Sequence, residues 1–382
     1  MMVNTANEIK PKEPLKYRDF KPKFLYDEWM EAQGIPVVKG YYVEDLRTVE
    51  LGWWDARQCN AAFIQLMGQE GVNEVRLTEI GAGATLAPFK FALDEICYVA
   101  AGNGVTTVWE HEGAAPQTFE WQPHSMFMIP RNWRHQHVNM RGDQPARLLH
   151  YNYLPMALCL VRDPEFYFNN PYQESAEVAA QREFYSEAKM ETDWEKNWRA
   201  RGAFWYGNFF PDMRAWDKLV PHKGRGAGGH RLDLQFPSSD MSGHMSVFPS
   251  RTYKKGHRHG PGRAIIIPKG EGYSIMWAEG QEKVVIPWHE MSMFTPPDRW
   301  FHQHFNTGAD PARYLALHPL PQFSGHAEKV EDRAKDMFEY PDEDPFIRKT
   351  FEAELDKKGL TSLMPEEAYQ DREYVWAYEE KD

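Results

Sequence analysis

Short apolar-rich segments with period-two alternation, each cut off by Gly or Pro, recur along two long stretches of this chain. NEVRLTEI, ICYVAAG, VTTVWEH, SMFMIP and ARLLHYNYL succeed one another in the first, and HMSVFP, RAIIIP, YSIMWAE, EKVVIP, SMFTP and ARYLALHPL in the second. Alternation puts the apolar side chains on one face of a strand. Many short strands with turn signals between them predict an all-β barrel or double-sheet jelly roll, here twice over. Between them, residues 174–201 are charged and free of Gly and Pro, which predicts a helical linker. Beyond Pro321 the tail is acidic and Lys-rich, with the helix-like run FIRKTFEAELDKKG stopping at Gly359 and TSLMPEEAYQ starting another. The predicted boundaries are an N-terminal arm and first barrel over 1–165, a helical linker and Gly-rich loop over 166–235, a second barrel over 236–320 and a helical, acidic arm over 321–382.

The two stretches are copies of one unit. PRNWRHQHVN from Pro130 aligns with PDRWFHQHFN from Pro297, so that His135 maps onto His302, His137 onto His304 and Asn139 onto Asn306. EICYVAAGNG from Glu95 aligns with RAIIIPKGEG from Arg263 at nearly the same offset. The repeat unit is a whole domain.

Composition narrows the classes of partner. The 382 residues are too many for one typical core, and a net charge of −12 supplies no basic face for nucleic acid or an anionic membrane. Cys59, Cys97 and Cys159 are few, scattered and odd in number, which supports neither a disulfide framework nor a CxxC metal site. With no apolar leader-like run at the N-terminus and no span-length apolar stretch, the expectation is a cytoplasmic protein without a membrane partner.

The second unit carries the candidate chemistry. His257 and His259, in GHRHG, form a His-x-His pair that a strand presents on one face, and His302 arrives from a later strand to complete a three-imidazole metal site. Gly256, Gly270, Gly272, Pro297 and Asn306 stand in register around them. These residues resemble the two signatures of the cupin superfamily, G…HxH…E…GxG and PxGxxHxxxN, and the chain resembles a bicupin. The resemblance implies a mainly β fold of two tandem jelly-roll barrels. In the first unit the positions matching His257 and His259 are Phe89 and Phe91, which cannot ligate, so a metal-free structural barrel with an apolar plug is expected there. In the second unit Arg263 replaces the signature glutamate.

HRHGPGRAIIIPKGEG with PPDRWFHQHFN is similar to the metal-binding barrel of gentisate-type ring-cleaving dioxygenases, which also lack that glutamate. That resemblance implies Fe(II) on His257, His259 and His302, with Mn, Ni or Zn as alternatives. In that family the metal site lies in the first cupin, whereas here the first barrel has lost its ligands, so substrate identity is not carried over. Three neutral imidazoles leave the metal its full charge and open positions for substrate and dioxygen. The expected function is a dioxygenase of a small aromatic or hydroxy acid. The alternatives are a non-oxidative metal-dependent lyase, decarboxylase or isomerase, and a ligand-binding or storage bicupin without turnover.

Around the ligands, His304 shares the inward face of its strand and is either a proton carrier or a structural hydrogen-bond partner, since His137 occupies the same place in the other unit. Arg263 is a lumen cation. Arg251 and Arg299 stand on approaches to the ligand motifs and suit a carboxylate. His244, which aligns with Arg76, is a further lumen candidate, and Trp277 and Trp288 are candidates for an aromatic wall. Asn139 and Asn306 are expected to close a turn or strand end. GRGAGG, from Gly224 to Gly229, lacks the Lys-Ser/Thr of a phosphate loop and reads as a lid or linker. Bicupins generally oligomerise, so a homodimer or homotetramer is expected.

Overall fold

The computed structural model describes residues 24–168, 170, 184–192, 203–214, 220–237, 239–323 and 334–377. The chain is mainly β and forms two tandem double-sheet barrels. In the first, Val37–Gly40, Cys59–Leu66, Glu74–Ile80, Ala146–Asn152, Glu95–Ala101, Met126–Ile129 and Phe209–Phe210 are neighbours in one sheet, and Phe89–Lys90, Arg134–Asn139, Gly104–Trp109 and Gln117–Trp121 form the other. The second barrel repeats the plan. Phe204–Tyr206, His230–Gln235, Ser242–Phe248, Ala312–His318, Ala264–Lys269, Met293–Phe294 and Tyr42–Val43 build its larger sheet, and Val284–Trp288, Gly272–Trp277 and Phe301–Asn306 its smaller one.

The repeat seen in the sequence extends to individual atoms. Asn139 Nδ2 donates to the Gly81 and Gln144 carbonyls at 3.0 and 2.8 Å, and Asn306 Nδ2 to those of Pro249 and Asp310 at 3.0 and 2.9 Å. Each asparagine thus closes a strand end, as its sequence position predicts. Gly104 and Gly272 are also equivalent. A Cβ at Gly272 would collide with the Phe305 carbonyl and the Trp288 ring, and one at Gly104 with the Val138 carbonyl and Trp121. Glycine permits that close strand approach.

The barrels exchange edge strands. Tyr42 and Val43, from the chain that leads into the first barrel, pair with Phe294 and Met293 of the second. Phe209 and Phe210, from the chain that leads into the second, pair with Phe127 and Met126 of the first. A single apolar core runs through both, joining Ile64, Val75 and Leu149 to Leu232, Met245 and Leu317. These pairings revise the predicted boundaries. Residues 204–206 and 230–235 belong to the second barrel's sheet because their apolar faces need that core, so the barrel begins well before residue 236. Of the predicted helical linker, Lys189–Glu191 is a strand paired with Phe204–Tyr206. The rest of 174–201 lies outside the described residues, apart from 184–192.

The C-terminal arm covers the outer face of the second barrel. Its helix, Pro345–Asp356, is capped by the Asp344 carboxylate accepting from the Phe346 amide, and it buries Ile347, Phe351 and Leu355. These pack with Tyr253, Tyr273, Ile275 and Phe305 on the barrel wall. The second expected tail helix is only a 3-10 turn, Glu366–Tyr369. Among the described residues no helix is long and apolar enough to cross a membrane, and Cys59, Cys97 and Cys159 are all free thiols.

Candidate metal centre

The strand Phe301–Asn306 presents His302, Ser274-bonded His304 and Asn306 on its inward face, and His257 bridges to His302 through reciprocal backbone bonds of 3.2 and 2.8 Å. Each of His257, His259 and His302 offers a ligand nitrogen, and the three nitrogens lie within 4.8 Å of one another. His259 Nδ1 donates to the Gly260 carbonyl at 2.7 Å and His302 Nδ1 to that of Trp300 at 3.1 Å. Both rings are therefore held in the tautomer whose Nε2 carries the lone pair. His302 Nε2 and His257 Nδ1 are buried with no hydrogen-bond partner. Burial, the leading cause in both, lowers the His302 pKa to about 3 and holds that of His257 well below the ordinary range. Neutral imidazoles with unspent lone pairs fit a divalent metal.

The loop that carries these ligands is seated on the other barrel. Gly262, at φ +83°, has no room for a Cβ beside Val72 and Asn73. Its amide donates to the Gly68 carbonyl at 2.7 Å, and its carbonyl accepts from Asn73 Nδ2 at 2.6 Å.

A cavity of about 590 Å³ opens onto the three histidines. Arg225, Arg231, His244, Arg263, His304 and Tyr314 line it. Arg231 is paired with Asp233. Arg225 keeps both terminal nitrogens, and Arg263 its Nε, buried and without a partner among the described residues. Burial is the first cause that lowers the Arg225 pKa to about 10 and that of Arg263 to about 9, with neighbouring cations adding to it. Asp233 and Asp336 on the same cavity are taken by Arg231 and Arg258, so the buried guanidinium nitrogens of Arg225 and Arg263 suit an added anion.

His304 is committed elsewhere. The Ser274 hydroxyl accepts from the Trp288 indole at 3.0 Å and is hydrogen-bonded to His304 Nδ1, 2.9 Å away. The first barrel repeats this with Trp121, Thr106 and His137 at 2.9 and 2.7 Å. The triad shared by both barrels favours, of the two expectations for His304, the structural hydrogen-bond partner. Trp288, buried in that triad, is core and not a substrate wall.

Three more expected site residues lie off the cavity. Arg251 and Arg299, expected on the approaches to the ligand motifs, sit at left-handed turns with φ of +56° and +59° and do not line the cavity. Arg299 pairs with Asp336 and Arg251 reaches the Thr361 carbonyl. Trp277 sits opposite Phe301, one residue past Met276 opposite His302, so it faces outward and stacks on Phe301 at 5.7 Å. His244 and Arg263 are on the cavity as expected, with His244 Nδ1 hydrogen-bonded to His318 at 2.6 Å. Arg225, Arg231, Lys254 and Tyr314 escaped the sequence reading. Arg225 sits inside GRGAGG, whose run of positive φ at Gly226, Ala227 and Gly228 folds the loop back over the cavity.

The first barrel's matching positions are filled. Phe89 faces His135 across the same strand pair that joins His257 to His302, and it packs edge-on to that ring at 5.5 Å. The Arg57 guanidinium caps the Phe89 ring at 3.0 Å. Deeper in, Glu95, Cys97 and His150 also meet metal-ligand spacing, but their donors are spent. His150 Nδ1 donates to Glu95 at 2.7 Å, its Nε2 accepts from Thr78 at 2.8 Å, and Arg76 bridges Glu74 and Glu95.

No protein-family model matches the chain, and no curated protein sequence does. Among solved structures it is similar to the oxalate decarboxylase–formate complex of Lactobacillus farciminis, at 12% identity over 74% of this chain and 87% of that one, with a TM-score of 0.46. The salicylate 1,2-dioxygenase of Pseudaminobacter salicylatoxidans gives 11% over 70% and 74%, also at 0.46. A vicilin from hazelnut, Corylus avellana, gives 10% over 73% and 86%, at 0.43. Likenesses this remote carry no argument about activity.

Proposed function

We propose that the chain is a metal-dependent enzyme acting on a small organic acid in its second barrel, with Fe(II) and dioxygen as metal and co-substrate. The observation that carries this reading is the meeting, in one cavity, of three imidazoles whose ligand nitrogens lie within 4.8 Å of one another and two guanidiniums with buried nitrogens that have no partner among the described residues. A divalent ion held by His257, His259 and His302 supplies Lewis acidity and, as Fe(II), a redox couple for dioxygen. Arg225 and Arg263 bind the carboxylate and fix its approach, and the Nδ1 bonds of His259 and His302 keep the ligand rings aimed. A second reading, non-oxidative lyase, decarboxylase or isomerase chemistry, is favoured by one observation: a buried lysine–tyrosine pair capable of proton transfer lies in the same barrel.

Elemental analysis of protein purified without added metal comes first, with about one iron per chain expected. Oxygen uptake is then followed over a panel of hydroxybenzoates, hydroxynaphthoates and 2-hydroxy acids. Uptake with at least one of them is expected. Turnover of the same panel under strict anaerobiosis with Mn or Zn moves the assignment to the second reading. Replacing His257 and His259 together by Ala is expected to bring bound metal close to zero and abolish turnover with the fold intact by circular dichroism. Full retention of biological activity in that variant sinks both readings and leaves a binding protein.

A further inference from the structure

The lumen of the second barrel holds a pair with no counterpart in the first. Lys254, completely buried, donates from Nζ to the Ser246 hydroxyl and, at 3.4 Å, to the Tyr314 phenol oxygen. The first barrel has Leu86 and Leu148 in these places. The Leu86 amide bonds to the His137 carbonyl as the Lys254 amide does to that of His304, and Leu148 lies opposite Thr78 as Tyr314 lies opposite Ser246. Two leucines satisfy the fold at these positions, so packing does not require the polar pair. Burying an ammonium and a phenol there costs stability that the first barrel avoids.

Tyr314 is placed for chemistry with the cavity's contents. It lines the cavity, its ring 5.1 Å from that of His304, which is in turn 5.6 Å from that of His302. Lys254 and Ser246 are bonded beside it, and the cavity it lines also carries Arg225, His222, His244, His304 and Arg263, while the carboxylates there, Asp233 and Asp336, are paired with Arg231 and Arg258. Burial alone would push the phenol up, but Lys254 and Arg225 more than offset it and bring Tyr314 down to about 8. Burial brings Lys254 down to about 8 as well. His304 is tied through Nδ1 to Ser274, as His137 is to Thr106 in the first barrel, whereas Tyr314 has no such fold-wide role.

Resting on the functional reading above, we propose that Tyr314 is the proton acceptor of this site, positioned by Lys254, and that the substrate is a carboxylic acid with a hydroxyl beside the carboxylate. Arg225 and Arg263 hold the carboxylate. The substrate O–H bond breaks with its electron pair left on oxygen, and the proton bonds to the Tyr314 phenolate. No electrons are exchanged, and the proton returns to product or solvent when the site opens.

Salicylate binding to Zn-loaded protein tests this without turnover. Calorimetry near pH 9, in buffers of different ionisation enthalpy, counts the protons released. Wild type is expected to release close to none, because Tyr314 takes the hydroxyl proton internally, and Tyr314→Phe about one. In parallel, ultraviolet difference titration of the same protein is expected to show one tyrosinate with a midpoint near 8 that is missing in Tyr314→Phe. In Lys254→Met that midpoint rises by more than one pH unit, which a merely structural lysine would not cause. Equal proton release by wild type and Tyr314→Phe, or no near-neutral tyrosinate, overturns the Tyr314 assignment. Failure of Zn-loaded wild type to bind salicylate overturns the hydroxy-acid class. Neither result touches the functional reading, which fails separately if the purified protein holds no metal and turns over nothing on the panel.

Discussion

The two barrels share a plan and differ in how they settle charge. In the first, the buried ions close on one another: Arg76 with Glu74 and Glu95, Glu95 with His150, and Asn152 with both carboxylates at 3.0 and 3.1 Å. Burial would raise the Glu95 pKa, but Arg76 and His150 hold it well below the usual carboxylate range. The corresponding positions of the second barrel carry His244 and Arg263, and no carboxylate replaces Glu95. Among the described residues, the Arg225 terminal nitrogens, Arg263 Nε, His257 Nδ1 and His302 Nε2 stay unanswered. The same framework is a finished core in one half and an unfinished one in the other, and the unfinished half is where a metal and an anion complete the electrostatics.

The sharpest break in that comparison is in stability. Arg76→Met strands two buried carboxylates, and the protein is expected to lose about 3–5 kcal/mol, read as a large drop in the urea midpoint with bound metal unchanged. Arg263→Leu removes a cation whose buried Nε has no partner among the described residues, so the sign reverses. The substrate-free protein is expected to gain roughly 1 kcal/mol, while KM for the acid rises about ten- to a hundred-fold, as for a lost charge-assisted hydrogen bond. A stability loss in Arg263→Leu as large as that in Arg76→Met would erase the distinction between the barrels.

The smallest effect concerns the arm that only the second barrel wears. Glu343 accepts from Tyr253 at 2.8 Å and Gln303 at 2.6 Å, yet burial, the larger influence, raises its pKa to about 8. A carboxyl raised above its unfolded value stabilises fully below about pH 4.5, and that contribution is lost as pH rises through about 8. Because the side chain keeps some contact with water, Glu343→Gln is expected to remove only about 1 kcal/mol of this slope between pH 6 and 9, seen as a flatter melting temperature against pH.

The β-rich alternation, the duplication and the His-x-His spacing that brings three imidazoles together were legible because each rests on local pattern. Phe89 and Phe91 were legible as lost ligands for the same reason. What escaped depends on backbone turns and on registers between distant strands. Arg251 and Arg299 are close to the ligand motifs in the chain but turn at left-handed φ off the cavity, and Arg225 looks like linker until the glycine loop is seen to fold back. Lys254 and Tyr314 lie far apart in the chain, and each alone reads as an ordinary surface or core residue. Only the pairing that sets them against Leu86 and Leu148 makes them conspicuous.

The exchanged edge strands set a timetable for synthesis. Tyr42–Val43 leaves the ribosome early, but its partner Met293–Phe294 follows about 250 residues later, a wait of roughly ten seconds to a minute at ordinary elongation rates. Over that interval the first barrel already lacks Phe209–Phe210 along Met126–Phe127 until the chain has grown well past it. Neither half reaches its finished edge while it is being made alone, so the nascent first barrel spends its early life with an open strand that a chaperone or a neighbouring nascent chain is able to occupy.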